Sequence, residues 1–107
     1  RNFKYYSKVE LARLRIGIAL YKMKEFDDSI KVLEDAATKC YDSTIVSEAQ
    51  FYLAKCYKEK GDYLKAKDRF ESAKATSKDI NLIKQSEVLM DYCEKIIKWP
   101  ALSMLKK

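Results

Sequence analysis

The sequence has no histidine, one proline (Pro100), two glycines (Gly17 and Gly61) and one tryptophan (Trp99). Without histidine there is no Ser-His or Cys-His nucleophile pair, and most zinc sites are excluded as well. So few glycines and prolines leave little to build tight hairpins from, which argues against an all-β fold. The longest apolar run, Ile16–Tyr21, falls far short of the roughly 20 residues of a membrane span. Cys40, Cys56 and Cys93 are widely spaced and form no C-x-x-C, so no metal knuckle is supported. Each sits among apolar neighbours at helical spacing and reads as a small buried hydrophobe in a reducing, cytoplasmic compartment. One disulfide plus a free thiol is the alternative in an oxidising one. No metal, cofactor or catalytic residue is expected, and the chain reads as a non-enzyme.

What is present is 107 residues, 48% apolar and 36% charged. That is one domain's worth of chain, with too much apolar content for a disordered tail. No signal peptide is visible, and a first residue of Arg1 rather than Met reads as a fragment. The net charge of +6 favours acidic partners. The bases alternate with acids, however, as on solvated helix faces. Arginine occurs only at Arg1, Arg13, Arg15 and Arg69, and arginine is the usual reader of phosphate and base edges, so nucleic-acid binding is disfavoured.

Apolar periodicity predicts five helices. Ser7-Lys8-Val9-Glu10 matches a capping box, so a first helix is expected from there to about 23, with a core stripe of Ala12, Ile16, Ala19 and Met23. A second, about 26–40, opens on Asp27 and Asp28, where the helix dipole favours acids; its stripe is Ile30, Leu33, Ala36 or Ala37, and Cys40. Residues 41–44 read as a loop ending in an N-cap. The third helix, about 45–60, buries Ala49, Leu53, Cys56 and Tyr57. Gly61 ends it in the left-handed conformation, and Asp62 caps a fourth helix, about 63–76, striped with Tyr63, Ala66, Phe70 and Ala73. The fifth, about 80–98, carries Leu82, Ile83, Ser86, Leu89, Met90, Cys93, Ile96 and Ile97. Pro100 stops it or starts a further short helix, and Trp99 reads as a packing plug. Leu102, Met104 and Leu105 look like the start of another element, or a seed for dimerisation.

A shift of 37 residues superposes 10–39 on 47–76. Ala12 falls on Ala49, Ile16 on Leu53, Gly17 on Ala54, Ser29 on Ala66 and Leu33 on Phe70. The second copy contains Leu53-Ala54-x-x-Tyr57, Gly61-Asp62-Tyr63, Ala66, Phe70 and Ala73. These residues resemble the tetratricopeptide (TPR) repeat family. The first copy departs from its pattern with Lys24-Glu25 in place of Gly-Asp, and with Ser29 in place of alanine. Both copies lack the family's proline near the end, and 37 residues against about 34 implies a longer loop at 41–46. The expected organisation is an extension or the end of a preceding helix at 1–9, repeats at 10–43 and 44–80, and a capping helix or partial third repeat at 81–107.

The resemblance implies an all-α fold of antiparallel helix pairs stacked as a right-handed superhelix. It also implies a non-catalytic scaffold that binds a partner peptide or helix in a concave groove within a multi-subunit assembly. Opposite the expected core face of the first helix stand Leu11, Leu14, Ile18 and Tyr21, with Lys22 at the edge. Opposite that of the third stand Phe51, Lys55 and Lys58, with Tyr52 beside them. These nine residues are the candidate groove, an exposed apolar patch rimmed by lysines, and its partner is expected to be acidic with an apolar face. Self-association through the patch, or its coverage by residues before Ser7 such as Phe3, Tyr5 and Tyr6, is the competing expectation. Some family members hold acidic C-terminal peptides with a clamp of lysine, arginine and asparagine. Here the clamp positions carry Leu14, Ile18 and Tyr52, so that use is not implied. A periplasmic assembly factor, which the Tyr41-Asp42-Ser43 loop resembles, and a basic nucleic-acid-binding helical module are the alternatives.

Overall fold

The computed structural model describes residues 3–102, with side chains from residue 8 onward. Five helices follow one another: α1 (Phe3–Lys22), α2 (Phe26–Lys39), α3 (Ser43–Glu59), α4 (Tyr63–Thr76) and α5 (Ile80–Lys98). No strand occurs among the described residues. The connections 23–25, 40–42, 60–62 and 77–79 are equally short, so each helix turns back on the one before it. The longer loop expected at 41–46 is absent, because α3 already begins at Ser43.

Helix starts follow from side-chain chemistry. Asp42 Oδ1 accepts from the Thr44 and Ile45 amides at 2.9 and 3.4 Å. Asp62 accepts from Lys65 N at 3.2 Å, and Asp79 from Asn81 N at 2.9 Å. Each satisfies amides that the first helical turn leaves unpaired. The helix start expected at Ser7–Glu10 is a correction: α1 already runs from Phe3, so no helix end stands at Ser7. Pro100 opens a single 3₁₀ turn at 100–102. Trp99 is 58% exposed rather than a packing plug. Met104, Leu105 and the side chains of Phe3, Tyr5 and Tyr6 lie outside the described residues.

Two apolar clusters form the core. The first joins Leu14 with Leu33, Ala36, Ala37, Ile45, Ala49, Leu53 and Cys56. The second joins Phe51, Ala54, Ala66, Phe70, Ala73, Leu82 and Cys93. The middle helix, α3, contributes to both, with Leu53 turned to one side and Ala54 to the other. The stripes expected on α2, α3 and α4 are buried or half-buried. On α5, Leu82, Ser86, Cys93 and Ile96 are buried, whereas Ile97 is exposed.

The expected core stripe of α1 is a correction. Ala12, Ile16, Ala19 and Met23 are exposed, while Leu14 is 2% exposed and Gly17 is buried. The cause is the number of neighbours. In α3 the corresponding Ala49, Leu53 and Cys56 are covered by α2. Among the described residues no helix lies on that side of α1, which packs only on α2 and α3. Burial therefore selects its other apolar stripe.

Candidate partner-binding face

The first helices of the pairs line up along one side. Helix α1 approaches α3, and α3 approaches α5, whereas no Cα of α2 comes within 8 Å of α4. The row α1–α3–α5 thus forms one side of the stack, and its solvent-facing residues make up the candidate face.

At its centre is Lys55. Its ammonium lies 5.4 Å from the Tyr21 ring centroid, 5.2 Å from Phe51 and 5.4 Å from Tyr52. The rings brace one another: Tyr21 meets Tyr52 edge-on at 5.6 Å, and Phe51 meets Tyr52 edge-on at 5.5 Å. Ring faces are electron-rich and attract the cation. Burial nonetheless lowers the Lys55 pKa below its ordinary value, and the nearby positive charges of Lys58 and Lys22 add to this. Burial raises the Tyr21 pKa, with the Glu59 charge acting in the same direction. Lys58 sits 5.1 Å above the Tyr92 ring of α5. A shallow depression between α3 and α5 is lined by Glu48, Phe51, Tyr52, Asp79, Asn81, Leu82 and Gln85.

Of the nine groove residues, Tyr21, Phe51 and Tyr52 all lie against Lys55, with Lys22 and Lys58 close enough to act on it. Leu11 and Ile18 are half-buried against the first cluster. Leu14 and Phe51, however, are core residues at 2% and 5% exposure. They support the face from below rather than forming its surface, because Leu14 packs into the first cluster and Phe51 against Phe70 at 5.7 Å. The contribution of α5 was missed. Carrying the 37-residue shift onward from Glu48, Tyr52 and Lys55 leads to Gln85, Leu89 and Tyr92, which is the signal that locates it.

The turns inside the two helix pairs have identical geometry. Glu25 N donates to Leu20 O and Lys24 N to Tyr21 O; 37 residues on, Asp62 N donates to Tyr57 O and Gly61 N to Lys58 O. Both are Schellman caps, with a left-handed residue closing the first helix. A tetratricopeptide repeat family model matches residues 11–42 and 48–76. The chain belongs to the tetratricopeptide repeat family. No curated protein and no solved structure matches it. Tetratricopeptide repeats are in general protein–protein interaction modules. No described helix is long and apolar enough to cross a membrane, and no described cluster of acidic or cysteine side chains has the makings of a metal site.

Proposed function

We propose that this tetratricopeptide chain is a non-catalytic scaffold in a multi-subunit assembly, holding an acidic peptide or helix with an apolar face along α1, α3 and α5. The observation that carries this reading is the seat of Lys55 on three aromatic rings. A partly desolvated ammonium supported only by ring faces and by the charge of Glu59, with which it forms no ion pair, is under-compensated, so an incoming carboxylate restores the pairing that burial took away. Tyr21 and Tyr52 offer flat apolar contact beside it, and Lys22 and Lys58 extend the positive charge. Such a cluster of aromatic and cationic side chains has the composition of a binding hot spot. Three free thiols favour a reducing, cytoplasmic setting.

The test is an affinity capture with the full chain, repeated with Lys22→Glu/Lys58→Glu. Both side chains can be replaced without opening the core, so the variant should melt within about 2 °C of wild type. Loss of the captured proteins at unchanged stability supports this face. An unchanged set of partners overturns it.

A further inference from the structure

Helix α3 carries two charges that are partly covered and left without an opposite charge. Among the described residues, the bases at least half covered are Arg13, Lys55, Lys58, Lys67 and Arg69. All but Lys55 have an ion pair. The acids at least half covered are Glu10, Glu34, Asp35, Glu48, Asp62 and Glu94. All but Glu48 have a hydrogen bond or an ion pair. Covering a charge without pairing it costs free energy, so each of these two groups asks for a cause. Two of opposite sign on one helix point to a common one.

Glu48 and Lys55 lie seven residues apart, two turns of α3. They share a side of the helix yet stand about 10 Å apart along it, too far to pair with each other. Phe51 and Tyr52 lie between them and belong to both surroundings. Their rings hold the Lys55 ammonium at 5.2 and 5.4 Å, and they also line the depression that Glu48 borders. From α5 the depression receives Asp79, Asn81 and Gln85. Asp79 caps α5 through Oδ1, which fixes the side chain and leaves Oδ2 as an acceptor. Asn81 and Gln85 add amide oxygens. Among the described residues no lysine or arginine lines the depression.

We propose that this depression receives an arginine side chain of the partner peptide, about 10 Å along α3 from the point where Lys55 takes its carboxylate. The assignment rests on the reading of α1, α3 and α5 as the partner face, and it adds a base to the acid and apolar contact which that reading requires. A guanidinium suits the place better than an ammonium. It is planar, stacks on aromatic walls, donates to carboxylates as a fork and is the less strongly hydrated of the two. The spacing sets acid and arginine about three residues apart in an extended peptide and about seven apart in a helical one. The stretches beside the described residues, Arg1-Asn2 and Ser103 to Lys107, contain no acid, so they cannot supply both charges.

The test is a selection from a random dodecapeptide library on the immobilised full chain, run in parallel on Glu48→Lys and Lys55→Met. Peptides enriched on the wild type should pair an acid with an arginine at one of the two spacings. On Glu48→Lys the arginine should give way to a second acid. On Lys55→Met the arginine should stay and the acid should be lost. Both positions are half-buried, so melting should stay near that of the wild type. Where Glu48→Lys melts lower, Glu48→Gln, which keeps the shape, replaces it, and the arginine should then lose its enrichment. An enriched peptide is then titrated by fluorescence anisotropy. Replacing its arginine by glutamine should weaken binding to the wild type by about tenfold, and to Glu48→Gln by less than about twofold. Enrichment of acids without arginine, or an arginine that no change at Glu48 shifts, overturns this inference and leaves the acidic-partner reading standing. An acid that Lys55→Met does not remove overturns that reading and leaves the arginine site. No enrichment on the wild type overturns both.

Discussion

Lys24 and Gly61 stand 37 residues apart in sequence and at the same point of the same turn, with φ of 65° and 85°. A left-handed backbone costs a residue with a Cβ about 1 kcal/mol that glycine does not incur. Nothing lies within 4 Å of a Cβ built on Gly61, so any penalty at this position is conformational rather than steric. Lys24→Gly is therefore expected to stabilise the first helix pair by roughly 0.5–1 kcal/mol. Gly61→Ala should destabilise the second by a similar amount. Urea midpoints of the two variants and the wild type check both signs.

The close crossing of α1 and α2 depends on Gly17. A Cβ built there would come within 2.5 Å of Leu33 Cγ, and Leu33 is fully buried. Gly17→Ala removes the helix penalty of glycine but forces this crossing apart, and overpacking typically costs about 1–3 kcal/mol. The melting temperature should fall. Leu33→Ala alone should cost about 2–5 kcal/mol by cavity formation. In the double variant the added methyl fills part of that space, so the combined loss should be smaller than the sum.

Four of the five helices were legible to within about two residues at their ends, because each carries one continuous apolar stripe between polar connections. Helix α1 was not, for a reason that periodicity cannot resolve. Its sequence holds two apolar stripes, Ala12–Ile16–Ala19 and Leu11–Leu14–Ile18–Tyr21. A first helix in a stack needs both, one for each neighbour, and only the neighbours present decide which is buried. The same ambiguity put Leu14 and Phe51 on the candidate surface when they belong beneath it. Lys22, Lys55 and Lys58 were easier to place, since a long charged side chain keeps its head at the boundary even when its stem is covered. The approach of Tyr21 to Lys55 was beyond sequence reasoning, because it requires the distance between α1 and α3.

Two buried serines make opposite predictions. Ser29 Oγ donates to Gly17 O at 2.7 Å and receives Cys56 Sγ at 3.3 Å, tying α1, α2 and α3 together. Ser86 Oγ, equally buried, has no hydrogen-bond partner among the described residues. An unpaired buried hydroxyl costs on the order of 1–3 kcal/mol. Ser86→Ala, which places in α5 the alanine that α3 has at Ala49, should raise stability by about 1 kcal/mol. Ser29→Ala should lower it by about 1 kcal/mol or more, despite matching Ala66 in the second copy. Denaturant unfolding of both variants separates the two cases.

Stability should fall at alkaline pH, and the thiols set where the fall begins. Burial pushes the Cys56 and Cys93 thiols above their ordinary 9.0. As pH climbs through about 9, the unfolded chain gives up thiol protons that the folded chain keeps, so the unfolded state gains. Tyr21 and Tyr57, raised from 10.0 chiefly by burial, add to the loss from about 10 upward. Lys55 acts the other way. Burial lowers it from 10.5, so the folded chain sheds that proton first and stability rises with pH up to the unfolded value. Two thiols, joined from about 10 by two tyrosines, lose while one lysine gains, so the net slope is negative. The melting temperature should be level from about pH 6 to 8 and drop beyond about 9, where thiolates of ordinary acidity form in an unfolded chain. Cys93→Ala lowers the whole curve by opening a cavity, yet should flatten the drop between about pH 8.5 and 9.5. Lys55→Met removes the opposing contribution and should steepen it. A melting series across pH for the three proteins reads slopes rather than absolute stabilities, and equal slopes would show that the buried thiols do not control the alkaline limit.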